Sequence, residues 1–103
     1  MVIAIDEWPP FIIFEGDKII GLDIDLWNEI SKRLGVKVKF ERYPWARALK
    51  KMEDGAVDAM GGLAKTLERE AFINYSNIPY YNCTTRFYLQ KGKGNSLSTY
   101  SDL

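Results

Sequence analysis

The sequence predicts an α/β domain: a three-layer βαβ parallel sheet flanked by helices, with a late antiparallel strand. Apolar runs of strand length alternate with amphipathic stretches of helix length, the joints between them are short, and glycine or proline punctuates most joints. The resulting order is strand, helix, strand, helix, strand. In parallel units of this kind the crossovers are right-handed in nearly all cases, so few topologies compete.

Val2-Ile3-Ala4-Ile5 fits a strand buried on both faces, and Pro9-Pro10 stops the ladder because proline offers no N–H. Phe11 to Phe14 and Lys18 to Ile20 flank Glu15-Gly16-Asp17 as a peripheral hairpin. Ile24, Trp27, Ile30 and Leu34 recur at helical spacing, with Asp23 placed to cap the start and Gly35 to stop the end. Val36, Val38 and Phe40 alternate with Lys37, Lys39 and Glu41, as in a strand with one wet face near a sheet edge. Ala46, Leu49 and Met52 mark a second helix over Trp45 to Asp54. Val57 to Met60 is a third strand, Thr66 caps a third helical segment reaching about Phe72, and Thr84 to Leu89 is the late strand. Residues 1–91 are therefore expected to form the domain, and the Gly-, Ser- and Asn-rich residues 92–103 a linker.

Composition narrows the function. With 47% hydrophobic residues the 103-residue chain can build a core, though a small one. Lys plus Arg and Asp plus Glu each total 14, a balance unsuited to phosphate backbones, so nucleic acid is not an expected partner. No apolar run approaches the roughly 20 residues that span a bilayer, and the sequence contains no charged, then apolar, then small-residue leader, so Met1 is expected to start a mature or trimmed domain. Cys83 is the single cysteine and histidine is absent, which leaves no internal disulfide, no zinc set and no histidine base; no metal, cofactor or catalytic residue is expected.

In an open parallel sheet, ligands bind beyond the carboxyl ends of the strands. Those ends are Asp6 to Phe11, Tyr43 to Arg47 and Gly61 to Arg69. Trp8 either stacks on a ligand or seals the core; Phe11 reads as core. Gly61-Gly62-Leu63-Ala64-Lys65-Thr66 leads into a helix start, where free N–H groups form an anion cradle with Gly62, Leu63 and Ala64 at its centre. Arg69, in that helix's first turn, either grips a carboxylate in a bidentate fork or pairs with Glu68, Glu70 or Asp58. Trp45 and Arg47 open the second helix, where either an anion in the cleft explains the cation better than helix stability does, or Trp45 packs on the sheet and Arg47 is solvated. The pairs Asp6-Glu7 and Asp23-Asp25 read as caps ahead of acid/base or metal groups.

Several segments together resemble a known pattern: Pro10-Phe11, Gly21-Leu22-Asp23-Ile24-Asp25-Leu26, Arg33-Leu34-Gly35-Val36, Tyr43-Pro44-Trp45, Gly55-Ala56-Val57-Asp58-Ala59, Thr66-Leu67-Glu68-Arg69 and Pro79-Tyr80-Tyr81. In that order and spacing they resemble the family 3 extracellular solute-binding proteins, the amino-acid-type receptors of ABC importers. The resemblance runs from Val2 to Leu103. It implies one incomplete lobe of a type II periplasmic binding protein that captures a small polar, carboxylate-bearing solute, amino-acid-like or another organic anion, without chemistry. It also implies a periplasmic or extracellular place and a membrane ABC permease as partner of the full-length protein.

The same resemblance assigns roles. Trp8 and Trp45 stack on the ligand, while Arg69 holds its carboxylate with help from backbone N–H groups of the preceding loop. The chain departs there: the loop from Asp58 to Thr66 is one residue shorter than the common pattern, and Ala64 stands where Ser or Thr is usual. Arg47 and Lys65 add cationic character, which favours an anionic ligand. Family members cross to a second lobe after a hinge, so residues 92–103 are expected to lead to an absent lobe. An exposed apolar face and a homodimer through it are expected to follow. The rival readings are a ligand-sensing domain of a membrane kinase or cyclase and a dehydratase-type enzyme on the same scaffold. With one lobe alone, calorimetric titration with amino acids is expected to give no binding at millimolar or tighter affinity; a fitted millimolar constant would contradict this.

Overall fold

The structure, a computed structural model, describes residues 1–92. Its order is β1 (Val2–Ile5), β2 (Ile13–Glu15), β3 (Lys18–Ile20), α1 (Leu22–Leu34), β4 (Lys39–Arg42), α2 (Trp45–Glu53), β5 (Ala59–Met60) and α3 (Leu67–Glu70). A three-stranded parallel sheet runs β4-β1-β5, with Val2 opposite Lys39 and Ile3 opposite Ala59. The antiparallel β2–β3 hairpin stands apart from it.

β1 is central, and its alternation sorts the two layers of the core. Ile3 and Ile5 pack with Ile24 of α1, Phe11 and Ile12, while Ala4 on the other face packs with Ala48 of α2 and Val57. Ile3 and Ala48 have no exposed surface. A strand between two helices must be apolar on both faces, and this is why its run is unbroken instead of alternating. The helix, sheet, helix layering follows. β4 lies at the edge, as its wet face predicts.

Four local expectations are corrected. Asp23 does not cap α1; the N-cap is Gly21, at φ 129° and ψ 173°. The first amides of the helix are satisfied from outside instead, with Leu22 N donating to Pro10 O at 3.3 Å and Asp23 N to Phe11 O at 3.0 Å. The edge strand begins at Lys39 and not at Val36, because β1 offers partners from Val2 onward. The third strand contracts to Ala59–Met60, its start held by Asp58, whose carboxylate accepts from Val2 N at 2.7 Å. No ladder forms over 84–89. Threonine and aromatic residues give the segment strand propensity, but β5 at the open edge presents only two residues to pair with. The linker expected at 92–103 lies outside the described residues apart from Gly92.

Other expectations match. Gly35 ends α1 in the left-handed region at φ 66°, and Thr66 Oγ1 accepts from Arg69 N at 3.3 Å at the start of α3. α3 itself is four residues long, and the turn continues as Phe72 N and Ile73 N donate to Arg69 O.

Gly21 sits where only glycine is unstrained, and a Cβ there would collide with the Phe11 carbonyl oxygen. Gly21→Ala is expected to cost about 3 kcal/mol in urea unfolding; a change below about 0.5 kcal/mol would contradict the close approach of α1 to the Pro10-Phe11 turn.

Candidate functional site

The carboxyl end of the sheet opens into two neighbouring hollows. One, of about 340 Å³, is lined by Ala4 and Ile5 of β1, by Asp6, Glu7, Trp8 and Ile12 beyond it, by Trp45 at the start of α2, and by Gly61 and Gly62 after β5. The second, of about 820 Å³, shares Trp8, Gly61 and Gly62 and extends past Leu63, Ala64 and Lys65 to Tyr80 and Tyr81. These hollows lie where short loops leave three parallel strands on the same side, as the topology requires.

Trp8 is held at both ends. Its N–H donates to Ile12 O at 2.9 Å, its carbonyl accepts from Phe11 N and Ile12 N, and the Pro9–Pro10 peptide within this turn is cis. Its ring lies 4.5 Å from that of Phe11, which in turn meets Tyr81 edge-on at 4.7 Å. Gly62, at φ 69°, backs the indole so closely that a Cβ would stand 2.6 Å from Trp8 Cζ3. Even so, Trp8 is 42% exposed and Trp45 is 40% exposed, so both indoles present a face to solvent in the smaller hollow.

Of the residues singled out from sequence, Trp8, Trp45 and Gly62 meet in the smaller hollow, and Leu63 and Ala64 line the larger. The two arginines lie outside both linings. Arg47 is exposed and sits 5.9 Å from the Tyr43 ring centroid. Arg69 donates from Nη1 to Ala64 O at 3.0 Å, an oxygen that also accepts from the Tyr75 hydroxyl at 3.1 Å. Arg69 makes no ion pair among the described residues; Glu70 pairs with Lys65 at 3.1 Å instead. The N–H cradle is not free as drawn, since the Arg69 amide is taken by Thr66 Oγ1 and the Gly62 amide by Tyr80.

Sequence reasoning missed four contributors. Asp6 and Glu7 were read as caps ahead of acid/base or metal groups, yet both line the smaller hollow, Glu7 reaching Arg42 at 3.6 Å. Asp23 is 2% exposed: its Oδ2 accepts from the Tyr80 hydroxyl at 3.1 Å, while Oδ1 is buried with no hydrogen-bond partner. Tyr80 also accepts from Gly62 N at 2.6 Å. The only signal was the Pro79-Tyr80-Tyr81 motif, which marked a position and gave no role. Burial raises the Asp23 pKa, partly offset by the Tyr80 hydrogen bond, and burial likewise pushes Tyr80 up to about 12. Among the described residues no three His, Cys, Asp or Glu side chains gather as a metal site, and no helix is long and apolar enough to cross a membrane.

This architecture is that of a type II periplasmic binding protein, part of one lobe. Residues 1–98 match the bacterial extracellular solute-binding proteins, family 3, and the chain belongs to that family. It is similar to a probable histidine-binding protein of Neisseria gonorrhoeae, 30% identical over 94 residues that cover 89% of this chain and 35% of the relative. A solved ancestral arginine-binding protein bound to arginine superposes with a TM-score of 0.65 and 32% identity, over 73% of this chain and 34% of that one. The virulence sensor protein BvgS of Bordetella pertussis is 34% identical over 73 residues, 70% of this chain and 6% of BvgS. The chain spans about a third of the length of the binding-protein relatives it matches.

A carboxyl group whose pKa is raised on folding stabilises the fold below its unfolded value and loses that contribution as pH rises through the folded one. Asp23, ordinarily at 3.8, is therefore expected to make the protein less stable as pH climbs from below 4 toward neutrality. Glu41 acts in the opposite direction, because the Tyr43 hydroxyl holds its carboxyl down. Comparing wild type with Asp23→Asn by urea unfolding across pH isolates the Asp23 slope; parallel curves would contradict its burial.

Proposed function

We propose that residues 1–91 form the ligand-facing part of a first lobe that captures an amino acid with a cationic side chain, without chemistry, for an ABC importer. The observation that carries this reading is the composition of the smaller hollow: two part-exposed indoles, Trp8 and Trp45, beside the carboxylates of Asp6 and Glu7, with no cation in its lining. Indole faces attract a guanidinium or ammonium through the ring quadrupole, and nearby carboxylates add a monopole of the same sense. The sequence weighted the ligand's carboxylate; the lining of the hollow supports a role for its cation as well. Histidine- and arginine-binding relatives support the same ligand class.

The carboxylate falls to Arg69. Its guanidinium has five N–H donors, one of which is given to Ala64 O, and no acid neutralises it among the described residues. Leu63 and Ala64 carry the loop between the indoles and this arginine, and Gly62 lets the backbone approach. Arg47 contributes charge near the rim without touching the ligand. The proposal includes a periplasmic or extracellular location, in keeping with the family description, and a membrane permease as the partner of the whole protein.

A second reading, the sensing domain of a membrane receptor, is favoured by one observation, the 34% identity to BvgS over 73 residues. It uses the same hollow and the same residues, and differs only in what the ligand-bound lobe is attached to.

The test is chemical-shift mapping with arginine at tens of millimolar, a concentration that registers the weak affinity of a single lobe. Indole N–H signals of Trp8 and Trp45 and the amides of Gly61 and Gly62 are expected to move together, and glutamate is expected to move them less. Trp8→Ala is expected to weaken the response by about tenfold, in line with about 1.4 kcal/mol for a stacked cation. Shifts clustered elsewhere, or a stronger response to glutamate, would contradict the reading.

A further inference from the structure

The Tyr80 hydroxyl joins two parts of the chain that, among the described residues, have no other hydrogen bond between them. It accepts from the Gly62 amide at 2.6 Å and donates to Asp23 Oδ2 at 3.1 Å. Asp23 is fixed in the first turn of α1, whereas Gly62 lies in the loop after β5. Gly61 leaves the room for this junction: a Cβ there would stand 2.9 Å from Asp23 Oδ2 and 3.2 Å from the Tyr80 hydroxyl. On its other side, Gly62 faces the six-membered ring of Trp8, with no room for a Cβ between them. A tyrosine on an irregular segment that is itself 51% exposed has no packing need for this arrangement.

We propose that Tyr80 is a positioning residue for ligand capture: its hydroxyl, clamped between the Gly62 amide and the Asp23 carboxylate, holds the 61–62 loop against Trp8 and so sets the angle of the indole wall. This rests on the smaller hollow being the ligand site. The hydroxyl suits the task because it is donor and acceptor at once, and it stays protonated throughout the physiological range. Phenylalanine fills the same space and offers neither bond, leaving the Gly62 N–H without its acceptor and both Asp23 oxygens without a donor. The loop is then free to lift off the indole, and the width of the hollow changes without any change in a residue that touches the ligand.

Amide hydrogen exchange and indole resonances, measured on the full chain without ligand, read the clamp directly. In Tyr80→Phe, Gly62 exchange is expected to accelerate about tenfold or more, and the Trp8 indole N–H signal to move, while Tyr81→Phe leaves both in place. Asp23→Asn keeps an acceptor for the hydroxyl and is expected to retain Gly62 protection, which Asp23→Ala loses; a purely volumetric role for Asp23 would not separate these two. Unchanged Gly62 exchange and an unmoved Trp8 signal in Tyr80→Phe overturn the proposal. If Tyr80→Phe does not fold, wild-type exchange decides: protection of Gly62 well above that of exposed loop amides supports the clamp, and loop-like exchange overturns it. Arginine mapping repeated on Tyr80→Phe separates the two readings. A displaced loop with weakened arginine shifts at Trp8 supports the clamp as a positioning device, a displaced loop with arginine shifts unaltered overturns it, and arginine shifts elsewhere in wild type overturn the ligand site alone.

Discussion

The pocket depends on how the Pro10 and Phe11 carbonyl groups close the first turn of α1. A helix start left open must find acceptors for its amides. Here Leu22 N and Asp23 N find theirs on the turn that follows β1. That choice forces glycine at position 21, releases the Asp23 side chain from capping, and buries it facing the loop after β5. From there the contacts close on themselves: Asp23 to Tyr80, Tyr80 to Gly62, Gly62 to Trp8, Trp8 to Phe11, and Phe11 back to Asp23. The Trp8 indole, which lines the smaller hollow, is one member of this ring.

The arrangement explains why a carboxylate is tolerated almost fully buried. Burial disfavours its charge, and one oxygen has no donor, so Asp23 adds nothing obvious to stability at neutral pH. What it supplies is a fixed acceptor that specifies where Tyr80 must go. Specificity of this sort, obtained at some cost in stability, is typical of sites that have to hold a shape before the ligand arrives. The larger hollow beyond Trp8 shows what the ring leaves unconstrained, since its walls are mostly irregular backbone.

Much of the fold was legible because periodicity reports burial. β1 reads as doubly buried since Ile3 and Ile5 face α1 while Ala4 faces α2, and α1 reads as a helix from Ile24, Trp27 and Ile30. The strand over 84–89 was misread because threonine and aromatic residues report propensity, whereas a strand exists only beside an edge with free partners. Trp8, Trp45 and Gly62 could be gathered from topology, which fixes the end of the sheet at which loops meet. The direction of Arg69, the place of Asp6 and Glu7 in the lining of the smaller hollow, and the Asp23 to Tyr80 bond could not. Each depends on side-chain direction or on a contact between residues up to 57 positions apart, and no local pattern encodes either.

Trp8 and Tyr80 belong to one closed ring although no direct bond joins them. A double-mutant cycle in urea unfolding, combining Trp8→Ala with Tyr80→Phe, measures this. Linked through Gly62, the two changes are predicted to be non-additive by about 0.5 kcal/mol or more, whereas additivity within about 0.3 kcal/mol would contradict the claim.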